Sequence, residues 1–98
     1  MIDILTNHPD IRVIMFGGNC PIQGEGTYKG NPWYFRSRGN RWRLYISQNP
    51  DLHALDDTNS WIYEESYGDT DFEAGWMPED EAEKCILKAF TLFENREL

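Results

Sequence analysis

The amino-acid sequence predicts an α+β domain: an antiparallel sheet of four to five strands with one C-terminal amphipathic helix packed on one face. Three features predict it. Residues 23–47 carry a Gly39-Asn40 pair between two runs of alternating character, the mark of a two-residue hairpin loop whose residues must tolerate positive φ. Residues 60–67 alternate again. Ala82, Cys85, Ile86, Ala89, Phe90 and Phe93 recur at the spacing of a helix with one apolar stripe. A chain of 98 residues makes a single domain (1–98), burying roughly 65% of its unfolded surface.

Residues 1–16 hold two apolar pieces, Ile2-Asp3-Ile4-Leu5 and residues 11–16, split by Thr6-Asn7-His8-Pro9-Asp10. Pro9 disfavours helix at His8 and can open a new element. Residues 11–16 are nearly continuous and rich in β-branched side chains, which fits a strand buried on both faces or a short buried helix; strand is preferred. Gly17-Gly18-Asn19-Cys20-Pro21 is a turn by composition. No Gly-Lys-Ser/Thr follows it, which argues against a phosphate cradle. Residues 22–28 form the strand before the central hairpin. With Gly30-Asn31 as the loop, Tyr28 faces Trp33, Glu25 faces Arg36 and Gln23 faces Arg38. Gly24 and Gly26 then lie on the core face, leaving room for the tryptophans or for a helix.

In the central hairpin, side chains alternate between faces. One face reads Trp33, Phe35, Ser37, Trp42, Leu44, Ile46, a core face. The other reads Tyr34, Arg36, Arg38, Arg41, Arg43, Tyr45. Residues 48–59 are loop, with a turn at Asn49-Pro50-Asp51 and one helical turn at Leu52-His53-Ala54-Leu55. Residues 60–67 form a further strand, and residues 68–75 an acidic turn. Pro78 suits the first position of the last helix, where its missing N–H costs nothing. Glu79, Asp80 and Glu81 occupy the first turn, where the helix dipole favours negative charge. The helix is expected to fill the space above Gly24 and Gly26.

The formal net charge is -8, unevenly spread: residues 1–50 balance at +3 and residues 51–98 at -11. Residues 44–83 contain no lysine or arginine. No apolar run approaches the ~20 residues of a membrane span, and the N-terminus lacks a signal peptide's basic and apolar regions. A cytoplasmic protein is expected, with Cys20 and Cys85 as reduced, buried thiols. Asp69-Thr70-Asp71-Phe72-Glu73 has the acid spacing of a calcium loop. Its glycine falls at position 75, however, and Asp80 stands where the twelfth-position glutamate belongs. His8 and His53 are isolated, and nothing local activates Cys20. No catalytic residue, metal or cofactor is predicted, and the protein is not read as an enzyme.

Two constellations remain. Four arginines between two tyrosines have the ingredients of a single-stranded nucleic-acid platform, with cations for phosphates and rings for bases. The bland alternative pairs these arginines with the protein's own Glu64, Glu65 or Asp69. Twelve carboxylates over residues 51–83, with no base interspersed, suggest instead a decoy offered to the basic groove of a nucleic-acid-binding protein. Asp69, Asp71, Glu73, Glu79, Asp80 and Glu83 would be its contacts. Faces of opposite sign would also permit a homodimer.

The runs Gln23-Gly24-Glu25-Gly26-Thr27, Tyr34-Phe35-Arg36-Ser37-Arg38-Gly39 with Trp42, and Ala74-Gly75-Trp76-Met77-Pro78 before an acidic helix resemble short uncharacterised proteins of bacteria and their phages. The likeness covers about two thirds of the chain and implies no activity. Size and acidity make the chain similar to anti-CRISPR and other phage counter-defence proteins, which bind stoichiometrically and sometimes imitate DNA. The expectation is a non-catalytic acidic inhibitor occupying the nucleic-acid site of a host defence complex of the CRISPR effector type. The alternative is a small nucleic-acid-binding module using the arginine–tyrosine face.

Overall fold

The computed structural model describes residues 3–18, 21–68 and 73–96, with side chains from Leu5 onward. A short helix α1 (Asp3–Thr6) precedes five strands: β1 (Ile11–Gly17), β2 (Ile22–Tyr28), β3 (Asn31–Arg38), β4 (Arg41–Ile46) and β5 (Trp61–Ser66). A 3-10 turn (Glu73–Trp76) then leads into α2 (Glu79–Glu94). The strands form one antiparallel sheet in chain order, β1-β2-β3-β4-β5. The predicted α+β architecture is the one observed.

The β3–β4 hairpin has the predicted register, from Trp33 opposite Ile46 to Arg38 opposite Arg41, with Gly39 at φ 69° in the turn. Trp33, Phe35, Trp42, Leu44 and Ile46 are all buried on the core face. Ser37 is the polar member of that face, and its Oγ donates to the Ala74 carbonyl at 2.6 Å, so its burial leaves no hydrogen bond unmade.

The β2–β3 turn differs from expectation. Its two central residues are Lys29 and Gly30, both at positive φ (50° and 88°), and Tyr28 pairs with Asn31. Asn31 belongs to the strand because its side-chain amide donates to the Ser47 carbonyl at 2.9 Å, while the Pro32 carbonyl accepts the Ser47 N–H at 2.8 Å. The register therefore moves by two residues. An even shift preserves which face each side chain occupies, so Gly24 and Gly26 stay on the core side. The cross-strand partners change: Glu25 faces Tyr34 and Gln23 faces Arg36.

β1 is an edge strand buried along one face only, not both. The register slips between Val13 and Met15, leaving Ile14 as the extra residue of a bulge. The room at the two β2 glycines is taken by β1 rather than by the helix. A Cβ at Gly24 would meet the Phe16 ring at 2.8 Å, and one at Gly26 would meet the Arg12 carbonyl oxygen at 1.8 Å.

α2 packs on the core face through Ala82, Ile86, Ala89, Phe90 and Phe93. Phe90 stacks on Tyr28 (centroids 4.4 Å apart) and meets Trp33 edge-on at 5.7 Å; Phe93 meets Trp61 at 5.3 Å. Such aromatic pairs contribute about 0.5–1.5 kcal/mol beyond their buried area. Cys85 is only half-buried; its thiol is pushed up to about 11 by desolvation and then by Glu65 and Glu81. Pro78 is the N-cap rather than the first helical residue, since its ψ of 149° is extended; its carbonyl accepts the N–H groups of Glu81 and Ala82. No helix among the described residues is long and apolar enough to cross a membrane.

The β4–β5 connection folds into successive turns, and the helical turn expected at residues 52–55 starts at His53, whose carbonyl accepts the N–H groups of Asp56 (2.9 Å) and Asp57 (3.1 Å). Asp57 pins it. Its carboxylate accepts the N–H groups of Gln48 (2.8 Å) and Asn59 (2.9 Å) and the Ser47 hydroxyl (3.1 Å). These bonds, Asn59's first, hold its pKa below the ordinary 3.8. A depressed carboxylate pKa contributes stability that is complete above the unfolded value and disappears as pH falls through the folded one. Asp57→Ala is expected to melt several degrees below the parent at neutral pH, with the gap closing as pH drops below 3.8. Melts at both pH values check this; a gap independent of pH would contradict it.

Candidate functional site

The sheet face opposite α2 carries the six residues of the central hairpin's polar face. Strand pairing sets them in three rows: Tyr34 beside Tyr45, Arg36 beside Arg43, and Arg38 beside Arg41. β5 adds a third column, in which Glu64 faces Arg43 and Ser66 faces Arg41. Together with the Gly39-Asn40 turn and Leu55, the six line a half-open concavity of about 410 Å³.

The arginines are not equivalent. Glu64 bridges two of them, taking Arg41 Nη1 at 2.9 Å on one carboxylate oxygen and Arg43 Nε on the other. The Arg43 contact holds the Glu64 carboxyl below its usual 4.5, and hydrogen bonding to Tyr45 and then Glu64 raises Arg43 in turn. Arg36 and Arg38 are exposed, and neither forms an ion pair among the described residues. Each also lies directly opposite another arginine. Like charges in that position are destabilising, and Glu64 is the one carboxylate paired with these four guanidinium groups among the described residues, which leaves the face positive. Among the described residues the expected internal neutralisation therefore holds for half of the set: Glu64 serves β4 alone, and Glu65 points to the other side, where it pairs with Lys88; Asp69, the third expected partner, lies outside the described residues.

Tyr34 requires a correction. It lines the concavity but is only 7% exposed, so it is not a free stacking platform. The β4–β5 loop covers it: the His53 ring lies 6.1 Å from Tyr34, and the Tyr34 hydroxyl accepts from Gln23 Nε2 at 2.9 Å. His53 is oriented by the Leu55 N–H, which donates to its Nδ1 at 3.0 Å, and its Nε2 lies 3.7 Å from Glu25. Tyr45 remains half-exposed. The same loop contributes Leu55, 53% exposed, as an apolar lip. Sequence reasoning missed Leu55, because a turn-rich loop has no periodicity to say where it folds back.

Of the second predicted set, the described residues divide between surface and interior. Asp69 and Asp71, like Cys20, lie outside the described residues. Glu73 is exposed in the 3-10 turn, and Glu79 and Asp80 are exposed on the first turn of α2 beside Glu81. Glu83 is 4% exposed, and its carboxylate accepts the Leu5 N–H at 3.2 Å. It joins α1 to α2 and is not a contact for a partner. Trp76, 62% exposed among these acids, was not anticipated. Glu81 accepts the Tyr67 hydroxyl at 2.5 Å, which pushes that phenol up to about 12.

In comparisons with known proteins, no family model, curated protein or solved structure matches the chain.

Proposed function

We propose that the protein is a non-catalytic binding protein that takes single-stranded nucleic acid in the arginine groove of β3 and β4. The observation that carries this reading is the pair Arg36 and Arg38, exposed in a concavity of about 410 Å³ without a carboxylate partner among the described residues. A guanidinium fork suits phosphate oxygens, and Tyr45 offers a face on which a base can stack. Arg41 and Arg43, held in place by Glu64, line the far wall. The net charge of -8 opposes long-range attraction of a polyanion, so binding depends on short-range contact and is modest in affinity.

Fluorescence anisotropy with labelled single-stranded RNA, single-stranded DNA and duplex DNA tests the reading. The single strands should bind at low salt and the duplex more weakly. Two neutralised phosphates give log K a slope of about -1.4 against log salt. Absence of binding by every probe at low salt would overturn it.

That outcome would leave a second reading. Glu79, Asp80 and Glu81 stand together on the first turn of α2, close in sequence to the exposed Trp76. An acidic surface with an aromatic anchor fits an inhibitor of phage origin that occupies the basic groove of a host CRISPR-type effector. Both readings place the protein in the cytoplasm.

A further inference from the structure

We infer that the groove holds the terminal nucleotide of a strand, or a free nucleotide of the same chemistry, and not the interior of a long strand. This rests on the reading that the groove binds nucleic acid, and it names the part of the ligand that is recognised. The shared chemistry is one base and the phosphate carried on its own sugar.

Three observations support it. First, among the described residues only one ring lining the groove is open for stacking. Tyr45 is half-exposed, whereas Tyr34 lies under the His53 loop and is 7% exposed. Each stacked base needs its own π-face, so the groove takes one base.

Second, the groove is walled on the Tyr34 side of its tyrosine end. The loop bearing His53 and Leu55 folds over Tyr34 and is pinned through Asp57 to Ser47, Gln48 and Asn59. That wall stands where a strand running along β3 past the tyrosine row would go.

Third, the charges are graded along the remaining length. The Arg36–Arg43 row adjoins the tyrosines and the Arg38–Arg41 row follows, next to the Gly39-Asn40 turn. From the tyrosine row to the last arginine row is four residues, about 13 Å at ~3.3 Å per residue. A base on Tyr45 thus directs its adjoining phosphate to Arg36, and in a strand the next phosphate to Arg38. On the far wall Glu64 already occupies Arg41 and Arg43, so the β3 arginines take the phosphate charge. The volume of about 410 Å³ sits toward the small end of ligand sites, which span about 300–1,000 Å³.

The test compares a linear single-stranded oligonucleotide, a covalently closed circle of the same sequence, and a nucleoside diphosphate as competitor. The linear strand should bind at least about tenfold tighter than the circle, which has no end to insert. Displacement of the linear strand by the diphosphate, or binding of the diphosphate alone, would identify a free nucleotide as an equivalent source. Failure to displace would assign the site to strand ends. Tyr45→Ala should weaken linear binding about 10-fold or more while Tyr45→Phe retains it, since the ring and not the hydroxyl stacks on the base. A circle that binds as tightly as the linear strand would overturn the terminal-nucleotide inference and leave the proposed function intact. No binding by any of the three would overturn both.

Discussion

The double variant Arg36→Glu/Arg38→Glu is expected to lose more than about 100-fold in affinity for single-stranded nucleic acid while melting no lower than the parent. The first half follows from two lost charge-assisted hydrogen bonds of about 1.5–3 kcal/mol each, where ~1.4 kcal/mol is tenfold. The second half follows from the register. Arg36 faces Arg43 and Arg38 faces Arg41 across the β3–β4 pair. Replacing the β3 member of each pair converts a repulsion into an attraction, and opposite-charge cross-strand pairs contribute about 0.2–1 kcal/mol. Affinity and stability should therefore move in opposite directions, as they do where a surface is shaped for a ligand rather than for the fold. Anisotropy and thermal melts on the same preparations measure both. Retained affinity would remove these arginines from the site, and affinity lost together with a fall in Tm would mean the sheet had been damaged.

The other large effect lies at β2. Gly26→Ala should lower stability by more than ~3 kcal/mol, a shift of roughly 12 °C or more in Tm for a domain of this size. A Cβ there would sit 1.8 Å from the Arg12 carbonyl oxygen and 3.1 Å from Val13 Cα, both backbone atoms of β1 that cannot turn aside. β1 would have to leave the sheet or pair elsewhere. Gly24→Ala is the matched control. Its new Cβ meets the Phe16 ring at 2.8 Å, a side chain of intermediate burial able to rotate, so it should cost far less. Thermal melts of the two variants check the order, and hydrogen exchange should place the Gly26→Ala damage in β1. Similar melting temperatures for the two would show that β1 does not approach β2 as described.

Some of this was legible in the sequence. Gly39-Asn40 set the central hairpin to the residue, because positive φ at Gly39 leaves few positions for the turn. The apolar stripe located α2, since Ala82, Ile86, Phe90 and Phe93 have no other way to be buried together. What was not legible depended on partners distant along the chain. The β2–β3 turn fell at Lys29-Gly30 because Asn31 is tied to Ser47, which no local rule reports. Glu83 looks like a surface acid until the Leu5 N–H, 78 positions away, is placed beside it. The six groove residues could be named from alternation alone. The groove as a concavity could not, because its wall is an irregular loop, and neither could the covering of Tyr34 by that loop.

Each strand pairs with its neighbour in the chain, and so the sheet can grow one strand at a time as synthesis proceeds, with its longest connection between β4 and β5. The helix is the last described element, and with Leu5 and the 3-10 turn leading into it, it covers the face bearing Trp33, Phe35, Trp42, Leu44 and Ile46. During translation that oily surface stays bare until residue 94 has left the ribosome. In that interval the half-built protein is exposed to aggregation and to chaperones. A premature stop before α2 would make the hazard permanent.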